Sequence, residues 1–285
     1  TRRSSDLDRM AVGEVTYADD EGIGAIASYY GQTADELNLA FNFAFTGCPW
    51  QARCFARAVG DWENALPPGG WPCYVLSNHD QPRHIDRYGR GTNAVPRAKL
   101  AAMMLLTLRG TPFLYYGEEI GLRNGKIPHH RLRDPVGRRY WPFHPGRDEE
   151  RTPMQWDPGP GAGFTTGEPW LPFGQDYTET NVAAEAADPS SLLSFYRRLI
   201  WLRKESPALR AGSYRESPGP PDCLVYERRV EGQTMFVALN FGTARVAVNL
   251  PVQGRIVAAT GEREGMAGPG DLVLGPTEGV VIESV

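Results

Sequence analysis

Polar side chains that could bind a hydroxyl-rich ligand follow an apolar run near residue 75. The run, Cys73–Leu76, has the pattern of a short buried strand, and Asn78, His79 and Asp80 come directly after it. Side chains at the carboxyl ends of strands form the active-site face of an α/β barrel. Arg83 lies beyond a proline that stops the strand, and it can pair with a carboxylate or reach a ligand hydroxyl. The alternative is a strand end closed by an Asx turn, which needs no ligand.

Length and composition indicate an ordinary globular protein. The 285 residues can form one large core, or one core with a smaller satellite domain, and 41% of them are hydrophobic. The net charge of −4 provides no general attraction to nucleic acid or to an anionic membrane. The sequence also lacks an apolar run of about 18 residues. We therefore expect neither a nucleic-acid partner nor a membrane partner.

The cysteines are scattered, without the spacing of metal ligands. They are Cys48, Cys54, Cys73 and Cys223. Because no CxxC pair is present, the pattern favours free thiols in a reducing compartment over disulfides or a zinc site. The sequence thus predicts a cytoplasmic protein. The adjacent histidines at 129 and 130 have no third ligand near them, which argues against a metal site there as well.

Short strand-like runs alternate with helical patterns in the first part of the chain. The runs are Met10–Val15, Leu37–Phe45, Pro72–Ser77 and Pro112–Tyr116. One helix is predicted around Cys54–Trp62, another begins near Pro96 and ends at Gly110, and a third follows a cap at Asp188 or Ser190. Strands that alternate with helices predict βα units and a parallel sheet.

A different pattern begins near Leu209. The β-rich segments are Cys223–Val230, Thr234–Asn240, Arg245–Leu250, Arg255–Ala259, Asp271–Leu274 and Gly279–Ser284. Short strands separated by turns, with no helix expected, predict a small antiparallel β-sandwich. We therefore divide the chain into an α/β domain, residues 1–208, and a β-sandwich domain, residues 209–285.

The α/β domain contains a long segment without periodicity, residues 123–180. Such a segment is usually a lid or a binding loop. It contains several arginines with Trp141 and Phe143, which raises the possibility of nucleic-acid binding. Acidic residues are interleaved with the arginines, and no nucleic-acid motif is present, so this interpretation is disfavoured.

Several motifs, in order along the chain, resemble those of one enzyme family. They are Met10–Glu14, Ser77–Arg83, Gly110–Gly121 and Gly146–Asp157. Together they resemble the α-amylase superfamily of retaining glycosidases, and within it the α-glucosidase and oligo-1,6-glucosidase branch. The likeness covers essentially the whole chain. It implies an α/β fold that is the C-terminal half of a (β/α)8 TIM barrel, about strands five to eight, followed by the β-sandwich.

The resemblance also implies roles for individual residues. Glu14, at the end of the fifth barrel strand, would be the general acid/base, and Asp80 would stabilise the transition state by holding sugar hydroxyls. The implied substrate-binding residues are His79, Asn78, Arg83, Arg151 and Phe43. Phe43 and its neighbour Phe45 could together form an apolar wall of the sugar site, although core packing is favoured for at least one of them. Glu14 and the His79–Asp80 pair are expected to converge on one sugar-sized cavity.

Two family motifs do not occur in this sequence. The nucleophile would be an aspartate in a Gly-Phe-Arg-x-Asp motif, and an earlier Asp-x-x-x-Asn-His motif would mark the third strand. By resemblance, both would precede Thr1. We expect four barrel strands where a closed barrel needs eight, so the missing N-terminal half or self-association would have to cover the open edges. We also expect the chain alone to have no useful glycosidase activity.

The resemblance implies no organic cofactor and leaves open a structural calcium ion in the missing half. The implied reaction is hydrolysis of terminal α-linked glucose from short oligosaccharides or disaccharides. One alternative is a transglycosylase or isomerase of the same superfamily. Another is a non-catalytic, glycosidase-like scaffold subunit, although a scaffold has no need of Glu14, His79 and Asp80.

Overall fold

A computed structural model describes residues 10–15, 22–89 and 91–285. The chain divides into two compact units that are interleaved in sequence. The first unit comprises the described residues up to Val75 together with Met104–Phe113 and Arg203–Val285. The second unit comprises Leu76–Met103 and Leu114–Leu202, apart from residue 90. In the part of the chain that the structure describes, no helix is both long and apolar enough to cross a bilayer.

The first unit contains the predicted parallel strands. Strand β1 (Val12–Gly13) pairs with β2 (Leu39–Ala40), and β3 (Cys73–Val75) pairs with β4 (Thr111–Phe113), both in parallel. A single parallel bridge between Asn42 and Tyr74 links the two pairs. The prediction of βα units with parallel strands is therefore confirmed, although each strand is shorter than the run that predicted it.

The strand predicted for Leu37–Phe45 is longer than the observed strand β2. Ala44 and Phe45 belong to a short helix, α2 (Ala44–Gly47), instead of a strand. The physical cause is local, because the Asn42 side-chain oxygen accepts a hydrogen bond from the Ala44 backbone N–H at 2.9 Å. Such an Asx turn competes with strand pairing and starts a helical turn.

Helices α1 (Gly22–Ser28) and α3 (Ala52–Ala65) complete this part of the unit. As its period predicts, α3 buries one face, formed by Phe55, Ala58, Val59 and Trp62. Trp62 meets the ring of Tyr30 edge to face, with the centroids 6.0 Å apart. This aromatic contact packs α3 against the residues that follow α1 in the same unit.

A disulfide joins Cys48, after α2, to Cys54 in the first turn of α3, with the Cα atoms 5.8 Å apart. The prediction that these two are free thiols is wrong. The spacing of six residues gave no CxxC signal, and the short helix α2 bends the chain so that the two sulfurs meet. Cys73 and Cys223 are free. Because disulfides persist mainly in oxidising compartments, the thiols no longer support a cytoplasmic location.

The β-rich C-terminal region, also in the first unit, follows the short helix α9 (Pro207–Ala211). Its strands are β5 (Ser213–Glu216), β6 (Cys223–Val230), β7 (Gln233–Asn240), β8 (Val246–Leu250), β9 (Gly254–Ala259), β10 (Met266–Ala267), β11 (Gly270–Leu274) and β12 (Gly279–Ser284). One antiparallel sheet has the order β10-β9-β12-β7-β6-β5, and β8 and β11 form a second. Residues of both sheets, among them Phe236, Val248 and Leu274, share one apolar core. The predicted strands are all present, and β5 and β10 were missed.

The second unit contains mostly helices and turns. Its α-helices are α4 (His84–Tyr88), α5 (Ala94–Thr107), α6 (Pro135–Tyr140), α7 (Val182–Ala187) and α8 (Leu192–Glu205), the ends of α5 and α8 extending into the first unit. Its 3-10 turns are Gly91–Asn93, Glu118–Ile120, His129–Arg131, Glu149–Arg151 and Pro160–Gly163. The cap of α8 is Ser191, whose hydroxyl accepts from the Ser194 N–H at 3.0 Å. The predicted caps were therefore wrong, because Asp188 instead accepts from the Ser190 N–H.

The long segment 123–180 has a small core of its own. Ile127, Leu132 and Leu171 are buried together. Asp134 caps the start of α6 by accepting from the Val136 N–H at 3.2 Å. The segment therefore combines short turns with buried anchors, which can hold polar side chains in defined places.

Candidate active site

The turn after Ser77 carries the candidate residues His79 and Asp80. The Ser77 hydroxyl accepts from the backbone N–H of His84 at 2.8 Å and closes the base of this turn. The Asn78 side-chain oxygen accepts from the Asp80 N–H at 2.9 Å. The Asx turn that stood as the structural alternative is therefore present, and it orients Asp80. The His79 side chain is 56% exposed.

Asp80 is held through one of its two carboxylate oxygens. Oδ1 accepts from Arg151 Nη2 at 2.6 Å and from Arg147 Nη1 at 3.1 Å, and His79 Nε2 lies 3.6 Å from the same oxygen. Within the described residues, no hydrogen bond reaches Oδ2. The side chain is 33% exposed. One oxygen is thus fixed by two guanidinium groups, while the other can accept a hydrogen bond from a ligand hydroxyl.

Arg151 connects the long segment to this turn. Besides its bond to Asp80, its Nε donates to the backbone oxygen of His79 at 2.7 Å. The Arg151 backbone oxygen in turn accepts from the indole N–H of Trp170 at 3.3 Å. The structure therefore brings together three residues that the sequence singled out: His79, Asp80 and Arg151.

Arg147 and Asp134 are partners of this site that the sequence analysis did not select. The Asp134 carboxylate accepts from Arg147 Nε at 3.0 Å and from Nη2 at 3.1 Å. This pairing lowers the pKa of Asp134 to about 2. Both residues lie among the interleaved arginines and acids of the long segment. That interleaving was used only against nucleic-acid binding, although it also indicated internal ion pairs.

Arg83 has a different place from the one the sequence suggested. Its side chain is 1% exposed, and it donates to the backbone oxygens of Tyr116 at 2.6 Å and Glu150 at 2.9 Å. The guanidinium carbon lies 4.8 Å from the ring centroid of Tyr115 and 4.9 Å from that of Tyr116. Burial lowers the pKa of Arg83. Arg83 therefore joins two backbone segments in the interior, and its predicted role in substrate binding stays a prediction.

Glu14 belongs to the first unit and follows β1. Its side chain is exposed and borders a hollow of about 620 Å³, whose other lining residues are Gly13, Val15, Tyr29, Glu36 and Leu37. Residues 16–21, which come next in the chain, lie outside the described residues. Glu14 is thus accessible to a ligand, as a general acid/base must be.

The two candidate wall residues differ in burial. Phe45 is fully buried and stacks on Tyr74, with the centroids 4.9 Å apart, so it packs in the core. Phe43 is half-buried and stacks on Phe41 at 5.6 Å. Phe43 alone therefore retains an accessible apolar face.

A family model for the alpha-amylase catalytic domain matches residues 2–212. The chain belongs to the alpha-amylase family. It is 35% identical over 245 residues to a probable alpha-glucosidase of Rhizobium meliloti, a match that covers 85% of this chain and 44% of the relative. It is 33% identical over 279 residues to an oligo-1,6-glucosidase of Parageobacillus thermoglucosidasius, covering 87% of this chain and 49% of the relative. The chain therefore spans about half the length of these alpha-amylase family relatives.

Comparison with solved structures indicates the same family and the same partial coverage. An alpha-glucosyl transfer enzyme superposes with a TM-score of 0.86 at 32% identity, covering 97% of this chain and 51% of that one. Trehalulose synthase from Pseudomonas mesoacidophila MX-45 has a TM-score of 0.84 at 30% identity, with 98% and 56% covered. The resemblance deduced from the motifs is confirmed, as is an α/β fold with a β-rich C-terminal part. The numbering of its strands as five to eight stays a prediction.

Proposed function

We propose that this chain is the C-terminal half of a retaining α-glucosidase that removes terminal α-linked glucose from short oligosaccharides. In this proposal Glu14 is the general acid/base and Asp80 stabilises the transition state. The observation that carries the proposal is the state of Asp80, whose Oδ1 is held by Arg147 and Arg151 while Oδ2 has no bond within the described residues. Such an arrangement suits a carboxylate that must hold a sugar hydroxyl.

The chemistry requires a second carboxylate. A retaining glycosidase uses a nucleophile and an acid/base about 5–5.5 Å apart. We propose that the nucleophile comes from the part of the relatives' fold that this chain does not span. It attacks the anomeric carbon while Glu14 gives a proton to the leaving glycosidic oxygen. Ionised Glu14 then takes a proton from water, which attacks the glycosyl-enzyme and releases glucose.

Asp80 contributes by electrostatics and orientation. Positive charge develops on the sugar ring in the oxocarbenium-like transition state, and a fixed carboxylate can tighten its bond to a ring hydroxyl as this happens. A hydrogen bond to a charged group contributes about 1.5–3 kcal/mol. Because Arg147 and Arg151 prevent Asp80 from turning, little of this energy is lost in orienting the carboxylate when the sugar binds.

The test is turnover of a chromogenic α-glucoside by this chain and by the complete enzyme, in which the nucleophile-bearing part is present. We expect no useful hydrolysis by the chain alone, and loss of turnover in the complete enzyme on Glu14→Gln. Glu36→Gln is the matched control, since Glu36 borders the same hollow. Robust hydrolysis by the chain alone would contradict the proposal that the nucleophile lies outside this chain. Near-normal turnover of Glu14→Gln would show that Glu14 is not the acid.

A transfer reaction is the second candidate, because the structural relatives include an alpha-glucosyl transfer enzyme and a trehalulose synthase. Both reactions share the glycosyl-enzyme and differ in the acceptor, which is water in one case and a sugar in the other. Product analysis of the complete enzyme on maltose, isomaltose and sucrose separates them. Free glucose as the main product supports hydrolysis, while rearranged or lengthened sugars support transfer. A complete protein that turns over none of these sugars would favour the non-catalytic scaffold.

A further inference from the structure

Asp134 is a buried carboxylate with an unusually large set of bonds. Its side chain is 0% exposed. Oδ2 accepts from the backbone N–H of Arg147 at 2.8 Å and from its Nε at 3.0 Å, while Oδ1 accepts from its Nη2 at 3.1 Å and from the Val136 N–H at 3.2 Å. The two residues therefore form a bidentate carboxylate–guanidinium pair that a backbone bond reinforces. Such pairs fix geometry as well as charge.

The local backbone is built to bring these two residues together. Gly146, directly before Arg147, has a φ of +79°, a conformation that glycine adopts without strain. A Cβ atom there would lie 2.7 Å from the Gly137 nitrogen and 2.9 Å from Asp134 Oδ2. Asp148 Oδ2 also accepts from the Asp134 N–H at 2.9 Å. The turn at 146 thus packs against the start of α6 at a distance that only glycine allows.

Arg147 extends this fixed pair to the candidate site. While Nε and Nη2 face Asp134, its remaining nitrogen, Nη1, donates to Asp80 Oδ1 at 3.1 Å. The guanidinium is planar and rigid, so its orientation toward Asp134 also sets the direction of Nη1. The Arg147 side chain is otherwise 38% exposed and would be free to move. Asp134 therefore determines where one of the two donors to Asp80 points.

We propose that Asp134 is a positioning residue for the reaction, acting through Arg147 on Asp80. This proposal rests on the proposed function of Asp80. Asp134 touches no substrate, and its task is to hold the guanidinium so that Asp80 presents Oδ2 in a constant direction. The competing explanation is that the pair only stabilises the fold of the long segment.

The experiment is a double-mutant cycle in the complete enzyme with a chromogenic α-glucoside. Asp134→Asn keeps the size of the side chain but removes the charge that orients Arg147. Arg147→Lys keeps a positive charge beside Asp134 but replaces the fork with a single nitrogen. Displacements of about 1 Å near reacting groups can cost roughly 100-fold in rate, so we expect each single variant to lose about 10- to 100-fold in kcat. KM is expected to change less than kcat.

The cycle also separates positioning from folding. If Asp134 acts through Arg147, Asp134→Asn in the Arg147→Lys background should cost no more than about twofold further, since coupled residues are not additive. Asp86→Asn is the matched control, because Asp86 forms a comparable pair with Arg123 at 2.6 Å and has no bond to Arg147 or Asp80. That control should change kcat by less than about threefold.

Each outcome decides a different point. The positioning role would be wrong if the kcat losses of the two single variants multiply in the double variant. It would also be wrong if Asp134→Asn lowers kcat no more than Asp86→Asn does. If Asp134→Asn does not fold, full activity of Arg147→Lys would overturn it equally. A complete wild-type enzyme without any turnover would instead remove the proposed function, and the positioning role with it.

Discussion

Arg83 provides the most quantitative prediction about the structure itself. Replacing it with methionine, which has a similar length and no charge, removes the donors to the backbone oxygens of Tyr116 and Glu150. Hydrogen bonds from a charged donor contribute about 1.5–3 kcal/mol each. Relief of the desolvation of the buried guanidinium offsets part of this loss. We therefore expect Arg83→Met to lower the free energy of unfolding by about 2–4 kcal/mol.

The assay is urea unfolding of this chain, followed by tryptophan fluorescence, since Trp141, Trp156 and Trp170 lie in the same unit as Arg83. The matched control is Arg123→Met, because Arg123 is 39% exposed and pairs with Asp86 near the surface. Exposed pairs of this kind contribute about 1 kcal/mol or less. Equal destabilisation by the two substitutions would refute the argument that Arg83 is an interior link between backbone segments.

Three further predictions concern titration, the disulfide and a glycine turn. Burial raises the pKa of Glu150 from 4.5 to about 7. Between pH 4.5 and pH 7 the folded state therefore binds more protons than the unfolded state, and the free energy of unfolding falls as the pH rises through this range. Glu150→Gln should therefore stabilise the chain at pH 8 by up to about 3 kcal/mol, and this gain should disappear below about pH 4.5. A gain that stays constant between pH 4 and pH 9 would contradict the burial argument. Reduction of the Cys48–Cys54 bond should cost on the order of 2 kcal/mol, seen as a lower melting temperature with reductant, and an unchanged melting temperature would count against it. Gly146→Ala should destabilise the chain more than Gly232→Ala, because both glycines have a φ of +79° and only Gly146 faces close neighbours; equal losses would refute the close packing.

The sequence predicts those parts of the fold that local periodicity determines. The apolar face of α3 and six strands of the C-terminal sheets, all except β5 and β10, follow directly from spacing, because one buried face requires a 3.6-residue or a two-residue period. The motif around Asp80 was found for a similar reason, since it follows an apolar run. Elements defined by single side-chain bonds were missed. The Ser191 cap of α8 and the Asx turn at Asn42 are examples.

The candidate site shows the same limit at longer range. Arg147 and Asp80 are 67 residues apart, and nothing in either neighbourhood predicts that they meet. The Asp134–Arg147 pair is closer in sequence, but its formation depends on the backbone turn at Gly146. Likewise, Arg83 has the type and position of a ligand-binding residue, and only its burial reveals the interior role. Whether an arginine reaches the site, as Arg147 does, or the interior, as Arg83 does, depends on the direction of its side chain, which the local sequence does not determine.

The measurement that most directly tests the central claim is kcat/KM of Asp80→Asn in the complete enzyme, relative to wild type, on a chromogenic α-glucoside. The amide keeps the size of the carboxylate but loses the charge that Arg147 and Arg151 hold in place. If Asp80 stabilises the developing positive charge, kcat/KM should fall by at least about 100- to 1,000-fold, comparable to the loss of one electrostatic group in other active sites. A ratio within tenfold of wild type, in a folded variant, would show that this carboxylate does not take part in the reaction.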